Sequence, residues 1–388
     1  MESGIRVFSV AGIPIRIHAS WLAIYALITW TLAVGYFPRV LPDLPALAYW
    51  RSGLVAALLL FVSVLLHELS HSFVAIRYGL RVRGITLHVF GGVSHLEDEP
   101  PAPRAEFVIA AAGPLTSFAI AGVLWALERA GVVAGGTAGA VVSYLIGVNV
   151  AVGVFNLFPG FPLDGGRLLR AILWWWKGTL GRATHIASRV GVFFAVALMA
   201  VGVLQILYGA FVSGLWLILI GLFLRGAADA SDAQVALREA LARVPVRDIM
   251  TRDVVSVRGD ATVGDLVEDF WSHHFTSFPV MADGRVQGIA ALPQIHEVAR
   301  DRWAQARVAD VMRPLADDLV IGPGDSAYQA LEKAAGNGLG RLAVMEGPRL
   351  VGYLSLKDIT HVLALKGLRP LTADRLQRAG ATTPRRAA

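Results

Sequence analysis

Five stretches in the first 225 residues are apolar for about the 20 residues that carry a helix across a hydrocarbon core, and a sixth is shorter. They are 19–36, 53–76, 107–127, 138–158, 190–208 and 211–224, the last short enough to be tilted or incomplete. Lipid satisfies no backbone polar group, so such segments must close their hydrogen bonds internally as helices. The expectation is a polytopic α-helical membrane domain over 1–225. Composition agrees: 55% of the 388 residues are hydrophobic and 16% charged, against about 25% charged in soluble domains. An ordinary soluble enzyme is thereby disfavoured. Arg6 and Arg16 precede a long aromatic-rich first span without a small-residue cleavage pattern, which reads as a retained helix rather than a signal peptide.

The net charge of +6 is informative only by position. With six crossings and the N-terminus inside, the inner segments gather Arg6, Arg16, Arg77, Arg81, Arg83 and Arg104, then further basic residues from Arg167 to Arg225. The outer segments carry only Arg39, Arg51 and Arg129. Positive residues favour the cytoplasmic side, so both termini are expected there, in an inner cell membrane. The basic surplus thus has the lipid bilayer as its partner, and no nucleic-acid partner is expected. Between the second and third spans, 82–99 is rich in β-branched residues and broken by Gly91-Gly92, the pattern of a strand or hairpin. At membrane depth it must be covered by protein or line a wet cavity.

The second span contains His67-Glu68-Leu69-Ser70-His71. A spacing of four puts both imidazoles on one helix face, where they can share a zinc ion while Glu68 reaches a water as general base. In a soluble helix the same five residues could be a chance match on a surface. Here a carboxylate near mid-bilayer costs at least about 2.5–3.5 kcal/mol, so three ionisable residues in five positions call for a compensating partner such as a metal. The chain has no cysteine, which leaves His, Asp and Glu as ligands. A catalytic zinc takes three protein ligands. Asp164, in Pro159-Gly160-Phe161-Pro162-Leu163-Asp164-Gly165-Gly166-Arg167, is the only acid between Glu128 and Asp229. Taken alone it reads equally as an Asx turn, because Asp-Gly after Pro is common turn chemistry.

HExxH in one span, Ala112-Gly113-Pro114 opening the next, and Asn-x-x-Pro-x-x-Pro-Leu-Asp-Gly-Gly-Arg after another closely resemble the site-2 protease family of intramembrane zinc metalloproteases. The resemblance covers 10–170 in order, including Ala11-Gly12-Ile13-Pro14-Ile15 and Phe90-Gly91-Gly92-Val93. It implies that His67, His71 and Asp164 bind one catalytic Zn2+, that Glu68 activates water, and that an extended substrate pairs with the strand around 90–95. Asn156 stands eight residues before Asp164. It is expected either to hydrogen-bond the oxyanion or substrate backbone, or to satisfy broken-helix backbone at Pro159. His88 and His95 read as polar strand-edge residues, His18 as interfacial, and Trp174-Trp175-Trp176 as an interfacial anchor.

Beyond Arg225, 226–244 is rich in Ala and charge and is expected to form a connecting helix. A repeat follows. Val246-Arg247-Asp248-Ile249-Met250 matches Val308-Ala309-Asp310-Val311-Met312 at a shift of 62, and Pro279-Val280-Met281 with Gly288 match Ala343-Val344-Met345 with Gly352 at 64. Two small α/β units that bury faces on each other are the natural product, over 245–304 and 305–370, with a disordered tail over 371–388. The pair resembles tandem CBS domains, whose modules often bind adenosine nucleotides, and so implies ATP, ADP or AMP as ligand. In that family a Gly-h-h-Ser/Thr-x-x-Asp segment contacts the ligand. Here Gly352-Tyr353-Leu354-Ser355-Leu356-Lys357-Asp358 keeps it, making Ser355 and Asp358 the binding candidates, whereas Ala291 and Gln294 replace them in the first copy. A structural or homodimerising pair is the alternative.

The chain therefore reads as a multi-domain protein: six membrane helices with a membrane-associated strand or hairpin, then a cytosolic α/β CBS pair. Its expected activity is zinc-dependent hydrolysis of a peptide bond in or near a membrane segment of another protein. A transporter or channel gated by the pair explains the second half as well. It gives no reason for a water-activating Glu between two ligands.

Overall fold

The computed structural model describes residues 4–88, 91–96, 99–133 and 135–365, without the side chains at 93, 95, 96 and 177. Phe90 and the tail 371–388 lie outside the described residues. The chain divides into two compact units, Glu2–Ala233 and Gln234–Ala388.

The first unit opens with a hairpin, β1 (Ile5–Val10) and β2 (Ile13–Ile17). Its two-residue loop has Ala11 and Gly12 both at positive φ, 49° and 84°, as a tight turn matched to strand twist demands. Then α1 (Ala19–Thr31) passes through a π-helical turn at Leu32–Tyr36 into α2 (Phe37–Val40), followed by α3 (Ala46–Arg77). The chain returns as a second hairpin, β3 (Val82–His88) and β4 (Gly91–Leu96), within the segment expected to form a strand or hairpin. The sheet order is β1-β2-β3-β4, with β2 and β3 parallel (Ile15 opposite Ile85) and β4 at an edge.

Four further helices precede the last one's exit from this unit: α4 (Pro103–Arg129), α5 (Gly136–Asn156), α6 (Asp164–Lys177) and α7 (Leu180–Leu207); α8 (Phe211–Ala242) follows. Ala19–Val40, α3, α4, α5, α7 and α8 are long and apolar enough to cross a membrane. Leu58, Leu59, Val62 and Leu66 of α3 face outward, while Ala56 and Leu60 pack with Leu32, Phe37, Ala140 and Leu145. An apolar exterior around an apolar interior suits lipid as solvent. The sequence placed the end of the last span near 224; α8 instead runs on to Ala242 as one helix, so the expected connecting helix is its continuation. The amphipathic α6 was not anticipated as a helix.

The second unit holds the repeat. Its first copy is β5 (Val257–Arg258), α9 (Val263–His273), β6 (Ser277–Ala282), β7 (Arg285–Ala291) and α10 (Leu292–Ile295). After α11 (Val308–Val311) and β8 (Arg313–Pro314), the second is β9 (Val320–Ile321), α12 (Ala327–Gly336), β10 (Arg341–Glu346), β11 (Arg349–Ser355) and α13 (Leu356–Leu365). Each copy buries one helix face on its sheet: Val263, Leu266, Phe278 and Ile295 in one, Ala327, Leu331, Leu342 and Ile359 in the other.

Candidate metal centre and active site

His67 and His71 lie one turn apart on α3, both buried, with Nε2 atoms 3.2 Å from each other. Asp164 begins α6, and its Oδ2 stands 3.1 Å from His67 Nε2 and 3.2 Å from His71 Nε2. The three groups the sequence singled out as ligands thus converge from two elements, 97 residues apart in the chain. The donor chemistry fits zinc. His71 Nδ1 donates to the Ile109 carbonyl at 2.7 Å, which leaves Nε2 with its lone pair toward the carboxylate. His67 Nδ1 meets Ser117 Oγ at 2.9 Å. Three potential ligand atoms packed this closely suit a shared cation, since the ligands of a tetrahedral zinc with bonds of about 2.0–2.1 Å stand roughly 3.3 Å apart.

The partners that orient the imidazoles come from α4. Ile109 and Ser117 bracket Gly113, and a Cβ on Gly113 would overlap Nε2 of both His67 and His71. Only glycine lets this helix approach so closely. Such outer partners fix ring orientation and raise ligand basicity.

Glu68 sits between the two ligands on α3, and β4 lies against it. A Cβ on Gly92 would overlap Glu68 Cγ, and Ser72 Oγ on α3 meets Ser94 Oγ on β4 at 2.9 Å. The edge strand therefore runs beside the carboxylate. Asn156, half-buried at the end of α5, makes no side-chain hydrogen bond with a described residue. His88 Nδ1 donates to the Gly91 carbonyl within the hairpin. His18 caps α1, its Nδ1 accepting from Ser20 N–H at 3.1 Å. Trp175 and Trp176 project outward from α6.

In the second unit, Asp358 Oδ2 accepts from Ser355 N–H at 2.8 Å and from Ser355 Oγ–H at 2.6 Å, a reciprocal cap on α13. The first copy keeps half of it, with Ala291 N–H donating to Gln294 Oε1 at 2.8 Å. The copies meet where Tyr353 O–H donates to Ser277 Oγ at 2.9 Å and Arg341 donates to Ser277 and Thr276. Burial pushes the Tyr353 hydroxyl up to about 12, so it remains a donor at physiological pH.

Sequence reasoning missed Ile109 and Ser117 as parts of the site and quoted Gly92 and Gly113 only within motifs. Nothing in their spacing separates them from helix or strand packing.

Comparison with known proteins gives a consistent picture. The sequence matches the model of peptidase family M50 over 55–135 and 129–198, and that of the CBS domain over 246–292 and 308–365. It is 36% identical to a Mycobacterium tuberculosis protein described as "Putative zinc metalloprotease Rip3", over 98% of this chain and 100% of that one. It is 30% identical to zinc metalloprotease MJ0392 of Methanocaldococcus jannaschii, over 96% and 100%. Among solved structures, a site-2 protease from Methanocaldococcus jannaschii shares 33% identity at a TM-score of 0.42, covering 59% of this chain and 95% of that one.

Proposed function

The chain belongs to peptidase family M50, the site-2 protease family of zinc metalloproteases, and from that premise we propose that it is an intramembrane endopeptidase acting in regulated intramembrane proteolysis. It cleaves transmembrane or membrane-proximal segments of a protein substrate. The observation that carries this is the convergence of Asp164 on His67 and His71, which flank Glu68 within the apolar helix α3.

His67, His71 and Asp164 are the residues that would hold zinc, which when bound polarises a carbonyl and acidifies water. The remaining work falls to the chain. Glu68 takes the proton of the attacking water and passes it to the leaving amine. A helical substrate hides its carbonyls, so the scissile segment must be extended. The edge of β4, paired on its other side to β3, offers backbone partners for such a segment. Asn156 is proposed to hydrogen-bond the oxyanion or the substrate backbone. The test is co-expression with membrane-anchored candidates carrying a cytosolic tag. Release of the tagged fragment, lost on zinc chelation and restored by zinc, is the expected result. Release insensitive to chelation would remove the metalloprotease mechanism.

The Lys/Arg asymmetry supports cytoplasmic termini. Reporter fusions after Arg225 should report cytoplasm and fusions at Asp43 or Gly135 the opposite side; an external C-terminus would reverse the assignment.

In the CBS pair, Ser355 and Asp358 are proposed to hold the ribose of an adenine nucleotide at one principal site, and the pair to associate as a homodimer. Calorimetric titration of the full chain with ATP, ADP and AMP should show that site. Asp358→Ala should weaken it roughly tenfold or more, because the lost charged acceptor leaves ribose hydroxyls unpaired. Binding alters cleavage only if the nucleotide prefers one arrangement of the chain. If no nucleotide binds, the pair is a dimerisation or docking module.

A further inference from the structure

We infer that Arg170 is a positioning residue for the third metal ligand, holding the helix that carries Asp164 against the helix that supports both histidines. The inference rests on the metalloprotease reading of the site. Arg170 and Glu106 are both buried, at 6% and 0% exposure, far from the bulk solvent that would ordinarily screen such charges. Arg170 Nε donates to Glu106 Oε1 at 2.6 Å, and Nη2 bonds the same oxygen. The guanidinium also reaches Glu99 Oε2 at 3.3 Å, in the segment between β4 and α4, and lies 5.1 Å from the ring centroid of Phe161.

The placement of these groups gives the pair its role. Glu106 lies seven residues before Gly113 on α4, two turns along the same face, and Gly113 is the residue pressed against both imidazoles. Arg170 lies six residues after Asp164 on α6, and Phe161 three residues before it. One guanidinium therefore grips the loop that leads into Asp164 and the helix that orients His67 and His71. Arg167 on α6 adds only a longer ion pair to the same carboxylate, Nε to Oε1 at 3.9 Å, so without Arg170 the angle of α6 on α4 depends on that looser contact and on non-directional apolar packing.

Stability alone does not account for the pair. Desolvating two charges can cost more than their attraction returns, and a well-packed apolar replacement is often neutral or stabilising. Glu106 Oε2 is moreover buried without a hydrogen-bond partner among the described residues, an arrangement that a purely stabilising contact would avoid. What a forked, hydrogen-bonded pair supplies and apolar packing does not is direction.

The test uses the full-length protein purified in detergent, with two readouts besides activity: the rate of zinc loss to a chelator, and the visible spectrum of the cobalt(II)-substituted site. The double variant Glu106→Leu/Arg170→Met removes both buried charges together, and the partners it leaves behind, Arg167 and Glu99, keep 21% and 27% of their side chains exposed. With thermal unfolding unchanged, it should lose zinc about tenfold faster, at the low end for groups that support metal ligands, and show an altered cobalt spectrum. Arg170→Lys, which keeps the charge without the fork, should fall between the two. Parent-like zinc retention and spectrum in the double variant would overturn the inference. If the double variant does not fold, Arg170→Lys decides on the same readouts, and parent-like values again overturn it. A parent protein that holds no zinc would instead remove the metalloprotease reading itself, a result distinct from variants that keep the metal as well as the parent does.

Discussion

Glu68→Gln should lower peptide cleavage by about 10²–10⁴-fold, the range contributed by a positioned general base, while zinc content stays at about one per chain. Glutamine has the size of glutamate, so the contact with Gly92 on β4 survives, along with the packing of α3 against the sheet. The change removes only the ability to accept a proton from water and return it to the leaving amine. Both imidazoles and Asp164 are untouched, so the metal has no reason to leave. Cleavage of a membrane-anchored substrate, measured beside elemental analysis of the same preparation, separates the two properties. Normal turnover by this variant would exclude Glu68 as the base.

Asp164→Ala should abolish cleavage by a different route, with zinc falling well below one per chain. It leaves two neutral nitrogens 3.2 Å apart where a catalytic site needs three ligands, and it removes the only negative charge among them. The alternative, a carboxylate that merely shapes a turn, predicts a modest loss of stability with metal and activity retained. The backbone N–H groups of Gly166 and Arg167 bond to the Leu163 carbonyl, while the carboxylate faces the histidines. A variant that keeps both zinc and activity would return Asp164 to the turn reading.

How much of this was legible in the sequence depended on whether a residue violated its surroundings. His67, Glu68 and His71 stood out because charge inside an apolar run has a large cost. Asp164 stood out by being the only acid over a long interval. Glu106 lies at the margin of its apolar segment and Arg170 between two of them, where charge is expected, so nothing marked them as a buried pair. The N-terminal hairpin was missed for a related reason. Ile5–Val10 carries no charge cost to mark it, and Ala11-Gly12 reads as part of a motif rather than as a two-residue loop between strands. The length of α8 was misjudged at Arg225, where hydropathy falls but helix propensity does not. What changes there is the surrounding medium, not the backbone conformation.

The parallel pairing of β2 with β3 has a consequence for biogenesis. Between these strands the chain runs through Ala19–Val40 and α3, two spans long and apolar enough to cross the bilayer and return, yet Ile15, Arg16 and Ile17 pair with Ile85, Thr86 and Leu87. The sheet can close only if both helices have inserted with opposite sense and returned the chain to its starting face. A nascent chain with one of them untranslocated would strand the first hairpin on the wrong side of the membrane. Its β2 edge would then be unpaired and open to other chains. Closure of this small sheet thus requires that both helices have inserted, whatever the distribution of charge. It also orders assembly, since the edge that flanks Glu68 is completed only after the helix carrying Glu68 is already in place.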